Sequence, residues 1–215
     1  MEESKTREKI LKKIRQALIH KTENRFPKLD FDSPVHASKG ESLEMLFAEE
    51  FKKVNGHFVF CEDELDFAES IVSLAQEMGI DAVFCNEPRI KKIFDDIGFP
   101  YKEKSEELVI CTVSVTLCEQ LVARTGTVFV SSAQSSGRRA PVFPDTHMVL
   151  AFTSQLVFDT KDALNEIRSR YGEQLPSLIS AITGPSRTAD IEKTLVQGAH
   201  GPKEIFVFLV DDSKP

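Results

Sequence analysis

Three short stretches carry side chains able to hold an anion and move a proton: Thr183-Gly184-Pro185-Ser186-Arg187-Thr188-Ala189-Asp190, the pair Arg124-Thr125-Gly126-Thr127 and Arg138-Arg139, and Gly198-Ala199-His200-Gly201-Pro202. In the first, Arg187 stands between Ser186 and Thr188. Its planar guanidinium can hold a carboxylate in a bidentate contact, or pair with Asp190 and fix the turn. In the second, Arg124, Arg138 and Arg139 join Arg187 in loop regions. If these loops meet they make a local positive pocket for a small anion, and if they do not they are separate solvated arginines. In the third, His200 can act as a general acid or base, or as a hydrogen-bonded structural group, and His147 has the same two readings. Gly126 and Gly184 would let the backbone approach a ligand closely.

The local pattern around Arg187 suggests how it is presented. Leu178 to Ile182 reads as a short apolar strand, and Ala189 to Gln197 has helical spacing with a stop at Gly198. Thr188 would then be the N-cap, with Asp190 and Glu192 in the first turn, where carboxylates offset the positive end of the helix dipole. Those acids argue against a phosphate cradle, as does the single glycine, Gly184. A strand-to-helix turn is nonetheless where open α/β folds hold ligands.

The formal charge of −7, from 27 basic and 34 acidic residues, excludes a general nucleic-acid binder, which presents a net basic field. No apolar run reaches the roughly 18 to 20 residues needed to cross a bilayer, and the first residues lack the apolar centre of a secretory signal, so the expected location is cytoplasmic. Cys61, Cys85, Cys111 and Cys118 form no CxxC pair, and His20, His36, His57, His147 and His200 form no HxH or HExxH group. No metal or iron–sulfur cluster is expected on this chain. The serines lack a GxSxG elbow, which argues against a serine hydrolase.

These groups need a scaffold. Residues 3 to 19 predict a charged helix with Ile10, Leu11, Ile14 and Leu18 on one face, able to dock on a partner, and residues 20 to 40 predict a connector. The expected division is an N-terminal arm over 1–40 and a single α/β domain over 41–215. From His57 onward strands and helices alternate, with HFVFC, IDAVFC, LVICT, TGTVFVSS, HMVLAF, QLVF and EIFVFLV as strands. Helices are expected at 62–78, 88–97, about 115–122 and 161–170, with Gly79 ending the first of these and Pro88 starting the second.

Taken together, ARTGTVFVSS, the arginine loop leading into FPDTHMVLAF, and above all ITGPSRTADIEKTLVQGAHGPKEIFVFLV resemble the lactate-utilisation protein C family, whose module is the LUD domain. The C-terminal half carries the resemblance, and the N-terminal half agrees by architecture. The resemblance implies the fold of ribose-phosphate isomerases, glucosamine-phosphate deaminases and coenzyme A transferases: an open, mainly parallel sheet flanked by helices, here with an N-terminal helical arm. It also implies a part in oxidising L-lactate to pyruvate beside partner subunits that carry the iron–sulfur clusters. The site residues it implies are Thr125, Gly126, Thr127, Arg138, Arg139, His147, Gly184, Ser186, Arg187, Thr188, Asp190 and His200. Within that set Arg187 would bind a small anionic ligand, Asp190 would orient it, and His200 would transfer a proton. The chain departs from the family pattern at Arg124, where many relatives have an acid, so no catalytic acid can be invoked there. The alternative is a stand-alone enzyme acting on a small phosphorylated or coenzyme A substrate. A third reading is an interaction module docked through its first helix.

Overall fold

The computed structural model describes residues 2–19, 26–28, 30, 33, 35–36, 40–191 and 194–213, without the side chains of residues 2–5 and 189–196. The chain divides into two units, Met1–Ala37 and Ser38–Pro215. In the first, helix α1 (Glu2–Ile19) leaves Ile10, Ile14 and Leu18 exposed. No helix among the described residues is long and apolar enough to cross a membrane.

The second unit is built on two sheets. The larger has six parallel strands in the order β1-β12-β7-β4-β2-β3, formed by β1 (His57–Cys61), β2 (Val83–Phe84), β3 (Tyr101–Lys102), β4 (Val113–Leu117), β7 (Thr146–Phe152) and β12 (Glu204–Val210). Its central strands β7 and β12 are apolar almost throughout, as strands covered on both faces must be. One face packs on α3 (Glu64–Met78) and α4 (Pro88–Ile97) through Phe67, Ile71, Ile90 and Phe94. Asp63 caps α3 by accepting from the backbone of Leu65 and Asp66, and Gly79 and Gly98 end the two helices in the left-handed conformation.

The other face meets α2 (Leu43–Lys53) and a smaller sheet of order β8-β5-β6-β9, made of β5 (Gln120–Val122), β6 (Thr127–Ser131), β8 (Leu156–Val157) and β9 (Ile179–Ile182). Helix α5 (Thr160–Tyr171) closes that sheet's outer side. It is held by Glu119, 1% exposed, whose carboxylate accepts from Ser131 (2.6 Å), Arg170 (2.6 Å) and Tyr171 (2.8 Å). A buried charge so fully paired fixes α5 against the sheet.

Three sequence expectations change. The segment expected as a helix over 189–197 is a hairpin of β10 (Arg187–Ile191) and β11 (Thr194–Gln197), pairing Arg187 with Gln197 and Thr188 with Val196, so Thr188 is no N-cap. Its β-branched Thr188, Ile191, Thr194 and Val196 favour an extended chain and outweigh the helical spacing. The expected helix at 115–122 is instead β4 and β5, whose Val113, Val115, Leu121 and Val122 are buried. LVICT does not make a strand: Glu107–Val109 is one 3₁₀ turn, and Val109 and Ile110 face solvent.

Helix α2 seats very closely. Its Phe47 and Phe51 stack at 5.2 Å between the two sheets. Gly126, at φ +57°, lies against the α2 backbone, where a Cβ would fall 2.5 Å from Phe51 N. Gly184, at φ +79°, faces the Val54 carbonyl, which a Cβ would overlap. The same carbonyl, at the α2 C-cap, accepts a hydrogen bond from Arg187 Nη2 at 2.8 Å. A cation there offsets the negative end of the helix dipole.

His147 is fully buried in β7, where its Nε2 lies 2.8 Å from Thr116 Oγ1. The Thr116 hydroxyl donates to Leu117 O, so it accepts the Nε2 proton of His147, and Nδ1 has no partner among the described residues. Burial holds its pKa down, at about 3.

Two stability predictions follow from this packing. Gly126→Ala destabilises by about 3 kcal/mol, because backbone atoms must move, whereas Gly137→Ala, at φ +63° in open space, costs only about 1 kcal/mol. Urea unfolding midpoints compare them, and equal losses would remove the steric account. The folded pKa of His147 is depressed below its unfolded value of about 6.5, so its contribution is complete above pH 6.5 and is lost as pH falls toward 3. Between pH 6.5 and 5, wild-type stability should fall more steeply than that of His147→Leu by about 1 kcal/mol per pH unit. Parallel profiles would contradict this.

Candidate functional site

The loop between β6 and β7 presents the two adjacent arginines because it is tied down on both sides of them. Glu87, 3% exposed, accepts hydrogen bonds from the backbone NH and the hydroxyl of Ser136, and Asn86 Nδ2 donates to Ser135 O at 3.1 Å. Beyond the arginines, buried Ser114 donates to Ala140 O at 2.7 Å, and the backbone of Val142 and Phe143 turns back onto Arg139 O.

The Gly198–Pro202 connection is fixed by the TGPSR turn and by the start of β7. Ser186 N donates to Pro202 O at 2.8 Å, and Gly198 N donates to Ser186 O at 3.0 Å. Lys203 N donates to Asp145 O at 2.7 Å, and the Lys203 ammonium bridges the Asp145 carboxylate at 2.8 Å. Gly201 faces Ser186, with its Cβ position 3.1 Å from the serine Cβ.

The result is an open cleft of about 490 Å³ whose walls carry Arg138, Arg139, Phe143, Asp145, His200 and Gly201. Arg138 Nη2 donates to Ser177 Oγ at 2.5 Å, and the Arg139 guanidinium lies over the Phe143 ring at 5.0 Å. Neither has a carboxylate partner among the described residues, while the cleft's one acid, Asp145, is already bridged by Lys203. The cleft thus brings together two guanidiniums without a carboxylate partner among the described residues and an exposed histidine, side chains able to hold a small anion and to transfer a proton.

The predicted residues therefore separate into groups. Arg138, Arg139 and His200 converge, with Ser186 behind Gly201. Thr125, Gly126 and Thr127 lie elsewhere, in a hydroxyl chain from Thr125 to Thr127 (2.7 Å) to Thr183 (2.8 Å) that seats α2 together with Gly184. Arg187 takes part in the same docking, donating from Nη2 to the Val54 carbonyl, and its side chain is exposed. Thr188 sits in the hairpin strand, and the side chain of Asp190, like any contact between it and Arg187, lies outside the described residues. His147 cannot line an open cleft because it is sealed in the core. Arg124 is engaged with Asp159, the α5 N-cap, at 2.8 Å.

Phe143 and Asp145 were missed as cleft residues. The available signal was the proline pair Pro141 and Pro144, which rigidifies the loop that carries them. The cleft also lies at the amino ends of β7 and β12, not at carboxyl ends of the parallel sheet. TGPSR follows β9 of the smaller sheet, where the rule for open parallel sheets does not apply.

No group of three or more His, Cys, Asp or Glu placed to hold a metal occurs among the described residues. Cys61, Cys85 and Cys118 are buried, and burial pushes the Cys61 and Cys85 thiols up to about 12 and that of Cys118 upward as well.

Comparison with known proteins gives the same fold and a family. A structure described as a DUF162 family protein from Deinococcus radiodurans superposes with a TM-score of 0.57 at 18% identity, covering 78% of this chain and 96% of that one. Proteins named lactate utilization protein C are 38% identical in Shouchella clausii, over 52% of this chain and 49% of that protein, and 38% identical in Bacillus subtilis, over 54% and 48%. A lactate utilization protein C 1 of Bacillus mycoides is 27% identical over 68% of this chain and 70% of its own length. The matches to the first two span about half the length of those relatives. The family model described as LUD domain matches residues 35–210, and the chain belongs to the LUD domain family.

Proposed function

We propose that this protein takes part in lactate utilisation, as a non-metal subunit or accessory protein of an iron–sulfur-dependent system that oxidises L-lactate to pyruvate. The observation that carries the reading is the cleft holding Arg138, Arg139 and His200, in which two guanidiniums without carboxylate partners among the described residues are open to a small anion. The relatives named lactate utilization protein C support reading that anion as a 2-hydroxy or 2-oxo carboxylate.

In this reading Arg138 and Arg139 hold the carboxylate, and the apolar face of Phe143 limits the space beside it. His200 exchanges a proton with the ligand or with a partner subunit at the open mouth. Lactate oxidation releases two electrons and two protons. The electrons pass to iron–sulfur clusters carried by partner subunits, a division that fits the dispersed thiols of this chain, three of which are buried.

Replacing both arginines tests the cleft without disturbing the core, since both side chains are exposed. In a strain lacking the native gene, Arg138→Ala/Arg139→Ala should reduce lactate-dependent dye reduction by about tenfold or more, with the double lysine variant intermediate because it keeps charge but loses the fork. Unimpaired growth on L-lactate after deletion of the gene would overturn the reading.

A further inference from the structure

A second and larger cleft, of about 760 Å³, opens at the amino ends of β1 and β12, on the other side of the hairpin base from the arginine cleft. Its walls carry Lys52, Asn55, His57, Lys203, Glu204 and Phe206. The parallel register sets His57 directly beside Phe206, and their rings stack at 4.4 Å with 16° between planes. Phe206 is anchored in the core, whereas the His57 side chain is 51% exposed. One face of the imidazole is thus backed by a fixed ring while the side chain remains open to the cleft.

We propose that this cleft is a binding site for an anionic compound bearing a planar heteroaromatic ring, the chemistry of a nucleoside phosphate. The backed imidazole is a stacking platform that needs no reorganisation to receive a second ring. Glu204, whose carboxylate lies 4.0 Å from His57 Nε2, is placed to accept from an amino group on the edge of such a ring. Lys52, in the last turn of α2, makes no ion pair among the described residues and supplies charge for the phosphates. Lys203, which also lines the cleft, adds to it while bridging Asp145 at 2.8 Å. The volume lies within the roughly 300 to 1,000 Å³ of small-molecule sites. This inference does not rest on the lactate reading, which concerns a different set of side chains.

The test is calorimetric titration of the full-length chain with ADP, with adenosine titrated in parallel. The expected result is saturable binding of ADP that is weakened about tenfold or more by His57→Ala, largely kept by His57→Phe, and weakened by Lys52→Glu. Arg138→Ala/Arg139→Ala should leave it unchanged, and adenosine should bind more weakly than ADP. His57 and Lys52 are exposed, and matched unfolding midpoints verify that the variants are folded. No binding at millimolar ADP, equal binding by His57→Ala, or loss on removing the two arginines would each overturn the proposal.

Discussion

The close seating of α2 between the two sheets is the constraint on which the rest of this domain depends. Its last turn reaches Gly126 on one side and Gly184 on the other, and at both positions a side chain would drive into α2 backbone. Arg187 then binds the carbonyl that ends the helix. The run Thr183 to Arg187 is therefore a docking surface for a helix terminus, with hydroxyls satisfied by one another, a glycine that clears the carbonyl, and a cation that meets its partial charge. This interaction fixes the base of the β10–β11 hairpin, and that base is where Ser186 holds the Gly198–Pro202 connection.

Both clefts follow from that arrangement. One takes its wall from the Gly198–Gly201 turn and the tethered arginine loop, and the other from Pro185, Gln197 and the end of α2. The Lys203–Asp145 bridge joins their rims. In a chain of net charge −7, the one acid lining the arginine cleft, Asp145, is bridged by Lys203, which leaves Arg138 and Arg139 without a carboxylate partner among the described residues. The cleft is basic through placement rather than composition.

Much of the fold was legible in the sequence because burial imposes strong periodicity. HFVFC, HMVLAF and EIFVFLV are parallel-sheet strands, and Gly79 and Pro88 mark helix boundaries as their backbone chemistry requires. The hairpin at Arg187 to Gln197 was hidden because Ile191 and Leu195 also satisfy helical spacing, while its cross-strand pairing is non-local. Of the site, the arginine pair and His200 were readable as chemistry-bearing loop residues. Their meeting was not, since it depends on hydrogen bonds from Ser114 and Ser186 to distant carbonyls. His147 misled for the converse reason: it stands at the start of the predicted strand HMVLAF, and its titratable side chain is sealed in the core rather than set at an open strand end.

The most direct test of the functional account is an anaerobic pull-down of the tagged chain from its native host, with iron and lactate-dependent dye reduction measured in the eluate. The account predicts that both are recovered with the wild-type chain. An iron-free chain, recovered without partners and without lactate-dependent reduction, would contradict it.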